Sequence, residues 1–245
     1  MAERGPDVSI CIPTYARPDY LRAAIQSVLA QTFTDLEVIV SDDGSDGEEV
    51  ARSFGDARVR YSANPQRLGM AANWEAALTL ARGRYVGLLM DDDLLLPDYL
   101  ATLCEVFESR PAVGIAFANH FFDENGTLRA RDELIPPGFH YAILETLVRY
   151  NPVPICATLM RREVMLKLLP LPDNQAADFV MMMRAALAGV VFYYVRDPLM
   201  VYRVHPEQLS GQQEFREQVR SIWDEFDFME GSEIDTLRRQ LPMWQ

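Results

Sequence analysis

Histidine and cysteine are scarce in this chain, three of each in 245 residues. Cys11, Cys104 and Cys156 show no metal-ligand spacing, and an odd number set among apolar residues reads as reduced core thiols. Positive charge is also in deficit: 23 Lys and Arg face 36 Asp and Glu, for a net charge of −13. A surface of that sign repels phosphate backbones, so nucleic acid is not an expected partner. It also repels an anionic nucleotide unless cations intervene locally. No apolar run reaches the length of about 18 residues that a spanning helix needs, and the opening residues lack a secretory pattern. The expected location is cytoplasmic, with peripheral membrane contact left open. No Gly-x-Gly-x-x-Gly follows the first predicted strand and no Gly-Lys-Ser/Thr loop occurs, which argues against a dinucleotide-dependent dehydrogenase and a P-loop NTPase. Repeats, low-complexity tracts and Pro/Gly/Ser linkers are absent too, so one continuous domain over residues 1–245 is expected.

What is present is a regular alternation. Apolar residues make up 49% of the chain, enough for a sizeable core. Short apolar runs alternate with amphipathic stretches over the first 110 or so residues, the pattern of a mainly parallel sheet flanked by helices. Val8–Ile12, Leu36–Val40, Val59–Tyr61 and Tyr85–Met90 read as strands, with Pro13 expected to stop the first. Leu21, Ala24, Ile25, Val28 and Leu29 make one helical face, opened by Pro18 in the first turn. Met70, Trp74, Ala77, Leu78 and Ala81 make a second, and Leu100, Leu103, Cys104 and Phe107 a third. Beyond Val113–Phe117 the pattern loosens into a smaller, antiparallel C-terminal part. Asn125-Gly126 signals a hairpin turn, residues 139–149 a helix, and Gln175–Ala188 another helix ended by Gly189. Val190–Val195 and Leu199–Val204 read as two strands. Met181-Met182-Met183 reads as core packing.

Polar clusters follow three of the strands: Pro13-Thr14-Tyr15, Ser41-Asp42-Asp43-Gly44-Ser45 and Asp91-Asp92-Asp93. Open α/β sheets bind ligands beyond the carboxyl ends of their strands, so neighbouring strands would bring all three clusters to one edge. Asp-Asp-Gly-Ser is also good turn chemistry, and Ser45 or Asp46 could cap a helix. Three adjacent carboxylates repel and raise one another's pKa values. A divalent cation relieves that repulsion, and oxygen ligands suit Mg²⁺ or Mn²⁺.

The ordered set Ser9-Ile10-Cys11-Ile12-Pro13-Thr14-Tyr15, Gln31-Thr32-Phe33, Ser41-Asp42-Asp43-Gly44-Ser45 and Met90-Asp91-Asp92-Asp93 resembles the family 2 glycosyltransferases of the GT-A fold. Asn64 with Gly69 and Asn73, Gly83-Arg84-Tyr85, Asp178 with Arg184, and Tyr202-Arg203-Val204-His205 before Leu209-Ser210 extend the likeness from about residue 7 to residue 211. The resemblance implies a nucleotide-binding half over 1–119, an acceptor-binding half over 120–211 and a helical tail over 212–245. It implies an inverting transfer of a sugar from a nucleoside diphosphate to an acceptor hydroxyl. Pro13 and Tyr15 would lie against the base, and Asp43 would accept a base N–H, favouring a UDP- or dTDP-sugar. Asp91 would reach the ribose and Asp92 the metal, with Asp93 as a further metal candidate. The family pattern six residues before Arg184 places the general base at Asp178, with Asp173 as fallback. Ala177 stands where many members have an acidic residue, and Met90 where many have another aspartate.

His205 is a candidate metal or diphosphate ligand, and Arg67 and Arg203 are candidates for neutralising the diphosphate. Phe121, Phe122, Phe139, Tyr141, Tyr193 and Tyr194 could wall a sugar or lipid site. The acceptor is expected to be a polysaccharide, glycolipid or natural-product precursor. A catalytically degenerate nucleotide-sugar binder and a sugar nucleotidyltransferase are the alternatives. The latter lacks the Gly-rich basic loop it needs after the first strand.

Overall fold

Continuous apolar runs give the two most deeply set strands, β1 (Val8–Thr14) and β2 (Leu36–Asp42), in which every residue is buried. Strands covered on both faces carry such runs because neither face meets water. Here they emerge from a computed structural model that describes residues 5–44, 46–174, 176–206 and 208, with the side chains of all these but 148 and 149. Ser45, Leu209, Ser210 and the tail 212–245 therefore lie outside the described residues.

Helix α1 (Pro18–Leu29) follows β1 with a proline in its first turn, and its Leu21, Ala24, Ile25 and Val28 are buried. Burying each of the three larger side chains stabilises the fold by about 1.5–3 kcal/mol. After β2 come α2 (Gly47–Ser53), β3 (Val59–Ala63), α3 (Met70–Thr79) and β4 (Tyr85–Leu88). The short β5 (Leu94–Leu95) precedes α4 (Tyr99–Ser109). The second half runs β6 (Val113–Glu124), β7 (Thr127–Ala130), β8 (Gly138–His140), α5 (Leu144–Arg149), β9 (Thr158–Arg161), α6 (Arg162–Leu168), α7 (Ala177–Leu187) and β10 (Val191–Arg203).

One ten-stranded sheet carries both halves, in the order β3-β2-β1-β4-β9-β6-β10-β5, with β7 beside β6 and β8 beside β10. Strands β1 to β4 are parallel, and β9 enters antiparallel between β4 and β6. The architecture is thus a mixed α/β open sheet, mostly parallel in its first half, as the alternation predicts.

The sequence differs from the structure in several places. β10 pairs with β6 in parallel, inside the part expected to be antiparallel. Pro13 does not stop β1; it pairs in register with Ser41, and the strand runs to Thr14. The stretch 139–149 is not one helix. Gly138 takes φ +112°, a value that favours glycine, and residues 138–140 add to the edge of β10 before α5 begins. The two predicted strands 190–195 and 199–204 are one long strand whose register shifts around Pro198, a residue with no N–H to give.

A buried polar knot ties the N-terminal strands together. Ser9 Oγ donates to Glu37 Oε1 at 2.7 Å and accepts the N–H of Gly83 at 2.8 Å, while Arg60 reaches Glu37 Oε2 at 2.6 Å. Burial pushes the Glu37 carboxyl up, but bonds from Ser9, Arg60 and the Arg82 N–H outweigh it and hold it below the usual range. A Cβ on Gly83 would stand 2.6 Å from the Ser9 nitrogen, so a larger residue there must push the chain off β1. All three cysteines are free and buried, and Met181, Met182 and Met183 are fully buried in the core.

Candidate active site

The parallel register brings the carboxyl ends of β1, β2 and β4 to one edge. Thr14 pairs with Asp42, and the Leu89 N–H continues the ladder to Cys11 O at 2.9 Å. The three polar clusters therefore meet there, around a cavity of about 390 Å³. Pro13, Tyr15, Asp43, Arg67 and Asp91 line it, and so do Asp92, Asp93 and Asp178.

Two neighbouring aspartates in the second cluster do different work. Asp42, fully buried, accepts the N–H groups of Gly44 and Gly47, both at 2.8 Å, and the Tyr61 hydroxyl at 2.9 Å. It, and not the side chain of Asp46, accepts the first N–H of α2. Asp43 instead turns towards the cavity. Its Oδ1 accepts from Asn64 Nδ2 at 3.0 Å and Leu68 N–H at 2.7 Å, and Oδ2 from Gly69 N–H at 2.8 Å. Asn64 passes the network to Asn73, whose amide donates to Thr14 O at 3.3 Å. Asp43 thus pins the 64–69 loop and keeps acceptor capacity on Oδ2. Beside it the guanidinium of Arg67 lies 4.2 Å from the Tyr15 ring centroid, and Tyr15 is 45% exposed, a flat surface at the cavity mouth.

The acidic triplet is divided by burial. Asp91 accepts the Thr14 hydroxyl at 2.7 Å; burial, then the charge of Asp92, pushes its pKa up to about 6. Asp93 is only 1% exposed. It takes the Arg203 N–H at 3.2 Å, lies against the Cys156 thiol, and burial pushes it well above the usual carboxylate range. Asp92 stands between them, partly open, and its Oδ2 meets both Arg17 Nη1 at 2.8 Å and His205 Nε2 at 3.0 Å. The His205 ring stacks on Tyr20 with centroids 5.1 Å apart. Arg203 lies under the triplet. Its guanidinium donates to the carbonyls of Asp91 and Asp92 and sits 4.7 Å from the Tyr20 centroid.

This donor set fits a divalent cation of a particular kind. Among the described residues no group of three or more His, Cys, Asp or Glu side chains is arranged to hold a metal ion. Asp92 Oδ2 and His205 Nε2 are hydrogen-bonded to each other at 3.0 Å, so a carboxylate oxygen and an imidazole nitrogen nevertheless stand side by side. A cation held by so few protein ligands completes its shell with water and substrate phosphate, as Mg²⁺-type sites do.

Asp178 opens the first turn of α7 and borders the same cavity. Burial raises its pKa, while the N–H groups of Phe179 and Asp178 at the helix start act the other way. A carboxylate raised in this direction is a better proton acceptor than one in water. Asp173, the fallback, is exposed in the loop before α7 and is not part of the cavity wall.

Two contributors escape a reading of the sequence. Arg17 lines the cavity and bridges Asp91 and Asp92, yet in the sequence it is one arginine before a helix. Gln208 borders the cavity too, and its Nε2 donates to Arg203 O at 2.9 Å, closing the loop that carries His205. For Arg17 a signal exists: a cation between a site motif and the proline that opens a helix must project at the sheet edge.

The profile of glycosyl transferase family 2 matches residues 9–169. A glucosyltransferase of Escherichia coli, UDP-Glc:alpha-D-GlcNAc-diphosphoundecaprenol beta-1,3-glucosyltransferase WfaP, is 24% identical over 215 residues, 87% of this chain and 83% of that protein. The chain spans between 36% and 83% of the length of the first four curated relatives it matches. In fold it resembles TarS of S. aureus in complex with UDP-GlcNAc, with a TM-score of 0.75 at 18% identity over 94% of this chain and 69% of that one. The mannosyltransferase PcManGT of Pyrobaculum calidifontis, in complex with GDP-Man and Mn²⁺, gives 0.69 at 19% identity over 95% and 67%. With the motifs gathered on one sheet edge and the profile matching residues 9–169, more than half of the chain, the chain is a GT-A glycosyltransferase and belongs to glycosyl transferase family 2.

Proposed function

We propose that this glycosyltransferase moves a sugar from a UDP- or dTDP-sugar to an acceptor hydroxyl, with inversion and with the help of Mn²⁺ or Mg²⁺. The observation that carries the reading is the single cavity that joins Asp43, Asp91 and Asp92 to Asp178. In it the base lies between the Pro13 backbone and the Tyr15 ring, and the free lone pair of Asp43 Oδ2 accepts the imide N–H of uracil or thymine. Asp91 accepts from the ribose. Asp92 and His205 hold the cation, which stabilises negative charge on the departing diphosphate. Arg67 lies beside the same pocket wall, and Arg203 fixes the triplet from beneath.

Asp178 takes the proton of the acceptor hydroxyl as that oxygen attacks the anomeric carbon from the face opposite the leaving group. The C–O bond to the diphosphate breaks as the new glycosidic bond forms. Because burial raises the Asp178 pKa, the proton has a competent acceptor there.

For the acceptor, the likeness to WfaP supports a sugar carried on a lipid diphosphate. No described helix is long and apolar enough to cross a membrane. The test is a transfer assay with UDP-glucose, UDP-N-acetylglucosamine, dTDP-glucose and GDP-mannose against a GlcNAc-diphosphate-lipid acceptor. Transfer from a pyrimidine nucleotide sugar to give an inverted linkage, lost in Asp178→Asn, supports the reading. Transfer from GDP-mannose alone contradicts the base assignment.

A further inference from the structure

The cation place at Asp92 is already taken by a cation of the chain itself. Arg17 Nη1 stands 2.8 Å from Asp92 Oδ2, the same oxygen that His205 Nε2 reaches at 3.0 Å, and 3.4 Å from Asp91 Oδ1. A divalent ion bound through Asp92 Oδ2 would compete with the guanidinium for that oxygen. We propose that Arg17 is a resident counter-ion that holds the Asp92 site closed to metal until the donor's diphosphate draws the guanidinium away. This rests on the metal-dependent reading given above and adds an order to it.

Three features make Arg17 suited to that exchange. Its root is fixed: Ala16 takes the left-handed φ of 53°, Pro18 opens the helix, and the Arg17 carbonyl accepts the Leu21 N–H at 3.0 Å. Its arm faces the cavity, with the side chain 26% exposed. The other nearby guanidinium, Arg203, is committed to the carbonyls of Asp91 and Asp92 and to the face of Tyr20, which leaves it poorly placed to follow a ligand.

Chemistry supplies the driving force. A guanidinium fork matches phosphate oxygens as well as it matches a carboxylate, and a diphosphate offers more negative charge than Asp92. Once Arg17 moves onto the diphosphate, Asp92 Oδ2 is released to the cation at the moment the cation is needed. Metal and diphosphate then bind with positive coupling, and by linkage each raises the affinity of the other by the same factor. In the free protein a guanidinium that occupies the site about nine-tenths of the time weakens apparent metal binding about tenfold.

The experiment measures Mn²⁺ binding to the full chain by electron paramagnetic resonance of the free ion, with and without UDP, in wild type, Arg17→Gln and Asp92→Asn. Without UDP, Arg17→Gln is expected to bind Mn²⁺ about tenfold more tightly than wild type. With UDP the two are expected to converge, so that the variant has lost that factor of the UDP enhancement. Asp92→Asn is expected to bind weakly in both conditions. Equal affinities without UDP overturn the inference while leaving the metal reading intact. So does a tightening that persists unchanged with UDP, the mark of a fixed charge that merely repels the ion. No Mn²⁺ binding by wild type even with UDP overturns both. Should Arg17→Gln fail to fold, Arg17→Met keeps the stem's packing and carries the same expectation.

Discussion

His205 Nε2 and Asp92 Oδ2 stand 3.0 Å apart although 113 residues separate them in the chain. The pairing depends on β10, whose carboxyl end pairs with β5 directly after the triplet and so carries the His205 loop to it. Asp92→Ala is expected to remove the metal dependence of UDP binding and to leave the fold intact, because the side chain lies on the cavity wall and not in the core. His205→Ala should weaken Mn²⁺ binding by about tenfold or more, since even outer-shell partners cost that much. Unchanged Mn²⁺ dependence in both variants would remove the metal from these residues.

Asp178 gives a prediction in pH as well as in rate. Asp178→Asn should bind UDP as wild type does and lose transfer by about 10²-fold or more. The base must be ionised to accept a proton, and burial raises its pKa. The acidic limb of kcat/KM should therefore lie above the range of a carboxylate in water and vanish in the variant. For stability the sign is opposite. A raised folded-state pKa means that the folded protein gains stability as pH falls through it and is strained by the ionised carboxylate above it. Asp178→Asn should unfold no more easily than wild type at pH 8, and its relative advantage should shrink as the pH is lowered. A variant with normal turnover would move the base elsewhere.

Asp43 is asked to do two things, and one substitution separates them from sugar recognition. Its carboxylate takes three donors from the 64–69 loop. Leaving those half-buried donors without their acceptor costs up to about 1–3 kcal/mol, so Asp43→Ala should lower the unfolding midpoint and weaken UDP and dTDP alike. An effect confined to one sugar would place Asp43 away from the base.

Gly83→Ala tests the polar knot under β1. The added methyl would meet backbone atoms of Val8 and Ser9 at 2.7 and 2.6 Å. Overpacking of this kind costs about 1–3 kcal/mol, to be read from denaturant midpoints. Wild-type stability would show that the 81–84 turn can give way.

Much of the nucleotide half was legible because β1, β2 and β4 are buried throughout and announce themselves as apolar runs. The sheet edge followed from those runs, and with it the meeting of Pro13, Tyr15, Asp43 and the triplet. Short elements left no period to read: α2, β5 and α6 are of this sort. Gly138 and Pro198 were legible as residues but not as structure, because pairing along β10 decides what each does. Within the triplet, the different depths of Asp91, Asp92 and Asp93 depend on Arg203 and Cys156, which come from β10 and from the segment before β9. The partners of Arg17 could not be read from the sequence for the same reason, since they lie 74 and 75 residues away. The exposed stacked pair Phe139 and Tyr141 stands at 44% and 68% exposure, whereas Tyr194 is buried against Phe117. The aromatic residues proposed as one wall are thus split between surface and core.

The most direct measurement is calorimetric titration of the full chain with UDP, dTDP, GDP and CDP, each with and without Mn²⁺. The account predicts that UDP and dTDP bind, that Mn²⁺ tightens both, and that Asp92→Asn removes the tightening. Binding of GDP in preference to the pyrimidine nucleotides, or UDP affinity indifferent to Mn²⁺, would contradict it.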